Sequence, residues 1–273
     1  MAREPHRDPM HGTAQRRTPH TIRFPSRRLA GLVVATLIEY MRVSRVAHAD
    51  RPFDGTDAVV ADCDEIEFEI GLVDGDRVQG TTTYTPELQI NYGFLPNFEL
   101  VVDVGGTLPL GDAGGRMWLS SDVLVKHVFR AGSLQGHSGP SLAVQTGALL
   151  PDLPVHGHDA TGWTLAVIAS HRFAPITMHL NVEAQYGLDR AISAFTSVIV
   201  EGPAEWQVRP VIEVLAARDG DHGRQAAMLA GAIWQLRPSL SADVAIRGRQ
   251  ELGVTAFELR AGLTWAFATS HSS

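Results

Sequence analysis

Period-two alternation runs through most of this chain and restricts it to β-structure. From Ile176 to Tyr186 the residues Ile176, Met178, Leu180, Val182, Ala184 and Tyr186 alternate with Thr177, His179, Asn181, Glu183 and Gln185. In Glu65-Ile66-Glu67-Phe68-Glu69-Ile70 acids hold one parity and apolar residues the other. A strand puts such sets on opposite faces, whereas a helix would scatter them around its axis. The same pattern covers 83–92, 98–104 and 257–267, and more weakly 118–130, 140–149, 163–173, 194–201, 207–217, 225–236 and 240–249. With 65–70 and 176–186, that makes twelve strands.

The connections sort by length. Short turns, such as Leu95-Pro96-Asn97, Ala174-Pro175 and Arg237-Pro238-Ser239, fall on one side of the strand set. Longer polar loops (73–80, 107–116, 150–162, 188–192, 218–224 and 250–255) fall on the other, with the nine-residue turn 131–139 as the exception on the short side. An even number of strands near ten residues, with connections alternating in this way, predicts an all-β closed antiparallel transmembrane barrel. Closure is obligatory in lipid, because an open sheet edge would leave backbone groups unpaired in hydrocarbon. The competing fold is a soluble barrel or sandwich with the apolar parity turned inward. Aromatics near strand ends (Phe94, Phe129, Trp163, Phe173, Tyr186, Trp206, Trp265) favour lipid outside, as interfacial girdles require.

Charge divides the chain into a head and a body. Residues 1–49 carry nine Arg and three acids; the rest carries fourteen basic and twenty-seven acidic residues, with Lys126 the sole lysine. So acidic a body is not a nucleic-acid binder, since phosphate contacts need clustered Lys and Arg. In the head, Arg23, Arg27 and Arg28 precede the apolar run Leu29 to Ile38, and Ala47-His48-Ala49 follows as a small-x-small site. That order predicts an N-terminal extension and signal peptide over 1–49, cleaved before Asp50. The barrel then occupies 50–267 and a short tail 268–273. The run from Leu29 to Met41 is only 13 residues long and contains Glu39, whereas a spanning helix needs about 20.

Three stretches carry a resemblance: Glu65 to Gly71; Pro86-Glu87-Leu88-Gln89-Ile90-Asn91-Tyr92-Gly93 with Asn97-Phe98-Glu99-Leu100-Val101-Val102-Asp103; and the ending Ala261-Gly262-Leu263-Thr264-Trp265-Ala266-Phe267. Together they resemble the family of outer-membrane β-barrel transporters named after the meta-cleavage pathway of phenol degradation. The resemblance implies a Gram-negative outer-membrane location and small, hydrophobic or aromatic solutes. Two departures are Leu95-Pro96-Asn97 in the first turn and the residues beyond Phe267.

No residues are assigned to catalysis, to a cofactor or to a metal. His156-Gly157-His158-Asp159 and Asp219-Gly220-Asp221 read as polar loop tips, lacking the remaining ligands of a zinc or calcium site. Ser170 and His171 are neighbours, so a strand points them to opposite faces and they form no nucleophile–base pair. The lumen is more informative. Glu65, Glu67, Glu69, Glu87, Glu99 and Asp103 on the first strands, and Asp243, Arg247, Arg249, Glu258 and Arg260 on the last two, point inward. Closure brings the basic stripe to the acidic wall, with Glu67 and Glu69 expected within reach of Arg247 or Arg260. Such a lumen either orients a solute by a transverse field or is filled by cross-lumen ion pairs. The expected function is passive or facilitated passage of a small molecule, with outer-membrane lipid, periplasmic chaperones and the barrel-assembly machinery as partners. The alternatives are a structural or surface-interaction barrel with a plugged lumen, and a barrel lipid hydrolase.

Overall fold

A sheet with one apolar and one polar face satisfies all its backbone groups in lipid only by curling until its edges meet. A computed structural model of the chain describes residues 51–78, 81–110, 117–153, 161–187, 190–219, 223–251 and 253–269. The strands are β1 (Glu65–Val78), β2 (Thr81–Tyr84), β3 (Glu87–Leu95), β4 (Phe98–Leu110), β5 (Trp118–Arg130), β6 (Ser141–Leu153), β7 (Gly162–Phe173), β8 (Ile176–Tyr186), β9 (Ile192–Glu201), β10 (Val208–Asp219), β11 (Gly223–Arg237), β12 (Leu240–Glu251) and β13 (Val254–Ala268). β2 and β3 both pair with β1 on one side and β4 on the other, so they are one strand interrupted at Thr85-Pro86. That leaves twelve positions. Neighbours in sequence pair antiparallel all the way round, and β13 pairs with β1 from Glu65↔Ala268 to Arg77↔Phe257. The sheet is closed.

Apolar residues point outward. Val123, Val125, Leu165, Val167, Leu180, Val182, Ile212, Val214, Val244 and Ile246 are all exposed. Trp118, Trp163, Tyr186 and Phe257 lie toward the loop side of this band, and Phe94, Phe129, Phe173 and Trp206 toward the turn side. A soluble fold would bury these residues; their exposure on a closed barrel is the architecture of a membrane-spanning one. At the closure, the rings of Phe68 and Phe267 stack at 5.6 Å between centroids, and Trp265 lies 5.6 Å from Phe267 on the same outer face.

Three boundaries differ from the sequence reading. β1 runs on to Val78, β4 to Leu110 and β6 to Leu153, so much of the expected long loops is strand. These extensions are polar or irregular because they lie beyond the apolar band, where no alternation is demanded. β13 ends at Ala268, and Thr269 bonds to the Asp64 carbonyl at 2.6 Å, so the wall continues past Phe267. The larger difference is at the other end. Residues 51–64 are not wall: they enter the lumen, where Arg51, Pro52, Gly55, Ala58 and Ala61 are buried.

The outward band gives a direct expectation. Val214 sits near the middle of β10 and is about half exposed. Val214→Arg should lower unfolding stability in lipid vesicles by about 2–4 kcal/mol, while Val214→Leu should stay within about 0.5 kcal/mol. Urea titration of the vesicle-refolded protein checks both.

Candidate functional site in the lumen

An extended segment inside a barrel has no strand beside it, so its backbone groups must find partners on the wall. Residues 51–64 do so with side chains. The Glu213 carboxylate on β10, fully buried, accepts the Asp54 N–H at 2.8 Å and the Gly55 N–H at 2.9 Å. Asn181 on β8 acts as a surrogate strand: its Oδ1 accepts the Thr56 N–H at 3.2 Å and its Nδ2 donates to the Thr56 carbonyl at 3.0 Å. Further along, Ser170 Oγ accepts the Ala58 N–H at 2.9 Å and Glu99 accepts the Ala61 N–H at 2.6 Å. At the upper end Glu69 accepts the Arg51 N–H at 3.0 Å, and Arg260 donates to the Pro52 carbonyl at 2.9 Å. The long turn 131–139 also takes part, because Gln135 Nε2 donates to the Ala58 carbonyl at 2.7 Å. This turn departs from the short-side pattern because it clasps the segment.

Charge and packing hold the same strap. Asp54 meets Arg260 Nη2 at 2.8 Å and Arg247 Nη2 at 2.9 Å, and both arginines also bind Glu258. Lys126 Nζ lies 2.7 Å from Thr56 Oγ1 and 3.7 Å from Asp57. Arg51 meets Glu87 at 2.8 Å and Asp243 at 3.6 Å. Phe53 packs on Val211, Leu229, Ile233 and Ala245, and Val60 with Ala58 on Val128, Ala143 and Ile168. The inner wall of β10 and β11 therefore carries an aliphatic patch, and the lumen is not uniformly charged. Two close approaches demand glycine: a Cβ on Gly55 would lie 2.5 Å from Ser197 Oγ, and one on Gly93 would lie 2.1 Å from the Asp62 carbonyl oxygen.

The expected lumen residues fall into distinct places. Glu65, Glu67, Glu69 and Glu99 are buried, as are Asp243, Arg247, Glu258 and Arg260. Glu87, Asp103 and Arg249 are partly buried and line a cavity of about 470 Å³ on the loop side of the strap, with Arg51, Glu183 and Arg260. Asp103 faces Asp122 directly across β4 and β5. A second cavity, of about 460 Å³, lies on the turn side, lined by Asp57, Arg172, His179, Glu201, Arg209 and Arg237. At the closure the register corrects one expectation: Glu67 and Glu69 stand opposite Ala266 and Thr264, while Arg260 stands opposite Asp74. Shear offsets the strands, and Arg247 and Arg260 turn to Asp54 and Glu258. The sequence reading did not include Glu213, Asn181, Ser170 and Lys126 among the lumen residues. The usable signal was Glu213 itself, a lone acid on the inward parity between Val211 and Leu215.

Ser170 does meet an imidazole, though not its neighbour's. Its Oγ lies 2.8 Å from Nδ1 of His179, directly across the β7–β8 pair. The serine is 1% exposed and its oxygen already accepts the Ala58 amide, so this pair ties down the strap and offers no accessible nucleophile. His171 instead lies 3.1 Å from Ser133 Oγ. Among the described residues no group of three or more His, Cys, Asp or Glu side chains could hold a metal. Residues 156–159 and 220–221, weighed above as parts of zinc and calcium loops, lie outside the described residues.

Removing the strap's central acceptor should loosen it without opening the barrel. Glu213→Gln leaves two buried amides facing a neutral group and should cost about 1.5–3 kcal/mol. Limited proteolysis should then cut within 51–64 faster than in the parent, with the heat-modifiable gel mobility of a folded barrel retained.

No family model matches the chain, and no curated protein does. Solved structures do. The COG4313 outer membrane channel from Pseudomonas putida F1 aligns with a TM-score of 0.56 at 11% identity, over 79% of this chain and all of that one. The CymD monoaromatic hydrocarbon channel aligns with a TM-score of 0.52 at 6% identity, over 85% and 100%. The KdgM porin in complex with disordered oligogalacturonate aligns with a TM-score of 0.50 at 9% identity, over 74% and 99%. At these identities the likeness is one of fold, and the fold is that of outer-membrane channels and porins.

Proposed function

We propose that this protein is an outer-membrane channel of a Gram-negative bacterium that passes small molecules, with residues 51–64 as its built-in constriction. The observation that carries the reading is the lumen itself: a closed, lipid-facing barrel with cavities on both sides of a strap made from its own chain. The structural neighbours support passive transport as the class. They do not choose the solute, since one is named for a monoaromatic hydrocarbon and another holds oligogalacturonate. The loop-side cavity has carboxylates on β3, β4 and β8 and arginines on β12 and β13, which favours a small polar or amphipathic solute oriented by the field between them. The family resemblance favours hydrophobic or aromatic solutes as the alternative. Outer-membrane lipid, periplasmic chaperones and the barrel-assembly machinery are the partners this reading requires.

A second reading has its own support. The strap is bonded to the wall from Arg51 to Ala61, as in a barrel plugged for a structural or surface role. Planar-bilayer recording separates the two. A channel should give small resolved steps, and Asp54→Asn, which unties the strap from Arg247 and Arg260, should enlarge them. Silence from both proteins would favour the plug.

Arg260 tests how dry this region is. It is 9% exposed and binds Glu258, Asp54 and the Pro52 carbonyl. Arg260→Gln should therefore destabilise by about 3–5 kcal/mol, the cost of breaking a buried ion network, rather than the 0–1 kcal/mol of a wet pair. It should also shift the reversal potential of any current toward cations.

A further inference from the structure

The cavity on the turn side of the strap differs in charge from the one on the loop side. Among the described residues, six acids and three arginines line the loop-side cavity, whereas two acids, three arginines and a histidine line the turn-side one. Both turn-side acids are already answered. Asp57 lies 3.7 Å from Lys126 Nζ, and Glu201 lies 3.7 Å from Arg209 Nε and 3.4 Å from His179 Nε2. That leaves Arg172 on β7 and Arg237 at the end of β11, both exposed, whose guanidinium groups meet no carboxylate among the described residues. Each is positioned through its backbone. The Arg172 N–H donates to Ser133 Oγ at 2.8 Å, which ties it to the long turn 131–139. The Arg237 carbonyl accepts from Gln235 Nε2 at 2.7 Å, and the same amide reaches the Pro238 carbonyl at 3.3 Å, bracing the turn between β11 and β12. Val59 of the strap, Leu134, Leu236 and Pro238 give the same cavity an apolar part.

We propose that this cavity binds a small monocarboxylate with an apolar body, its carboxylate held by Arg172 and Arg237 and its hydrocarbon part set against Val59, Leu134 and Leu236. A guanidinium fork matches a carboxylate in shape as well as in charge. Few polar groups converging on a partly apolar wall is the composition of a small-ligand pocket, and about 460 Å³ lies within the roughly 300–1,000 Å³ of such pockets. Asp57 and Glu201 on the same lining repel a second negative charge, which disfavours phosphate and dicarboxylates. The apolar residues offer nothing to an inorganic ion. The site goes beyond the channel reading and is independent of it, because a barrel that never conducts would hold the same ligand.

Isothermal titration of the detergent-solubilised protein with sodium cyclohexanecarboxylate, corrected against detergent alone, tests the site. Saturable binding is expected. Cyclohexanecarboxamide, which keeps the shape and lacks the charge, should not bind, and inorganic phosphate should not compete. Arg172→Gln combined with Arg237→Gln should weaken the carboxylate about tenfold or more. Both side chains are exposed, so this variant should keep its heat-modifiable mobility. Each single variant should weaken binding severalfold, which keeps the test available if the pair does not fold. No saturable binding at millimolar concentrations, equal binding of the amide, or parental affinity in the glutamine variants would overturn the proposal. So would phosphate binding as tightly as the carboxylate.

Discussion

Backbone hydrogen bonding in an enclosed, apolar setting is the constraint on which this structure depends. It acts twice. In the wall it forces closure, because β1 and β13 would otherwise present unpaired edges to hydrocarbon. Inside the wall it acts on residues 51–64, which have donors and acceptors but no neighbouring strand. Glu213, Asn181, Glu99, Glu69 and Ser170 answer those groups one by one. Much of the acidic character of the lumen therefore serves amides rather than a passing ion.

Electrostatics follows from the same arrangement. Glu213 meets backbone dipoles, whereas Asp54 meets Arg247 and Arg260, and Asp57 meets Lys126. The strap contributes acids where the wall is basic and a cation, Arg51, where the wall is acidic. Its apolar side chains are matched as well, Phe53 to Val211, Leu229, Ile233 and Ala245, and Val60 to the cluster of Val128, Ala143 and Ile168. Complementarity in three chemistries along fourteen residues shows that the lumen is shaped to this segment.

The wall was legible because lipid outside and polar groups inside impose period two for the full width of the membrane. The strand read as 118–130 has those bounds, and 176–186 likewise. Where the strands rise beyond the apolar band the demand lapses, so 73–78 and 107–110 read as loop although they pair as strand. The strap was illegible for a related reason. Its partners are spread over β1, β3, β4, β5, β7, β8, β10, β12 and β13, so no local periodicity marks it. Small residues at Gly55, Ala58 and Ala61 record the tight fit, but only beside a known wall. The strand register at the closure escaped as well, since shear depends on the whole barrel and not on either strand.

Amide hydrogen exchange at Gly55, Thr56, Ala58 and Ala61 tests most directly whether the strap belongs to the folded barrel. If it does, these four amides in the detergent-solubilised protein exchange as slowly as those at the centres of β8 and β10. Exchange at the rate of an unstructured peptide, with the wall still protected, would contradict the account.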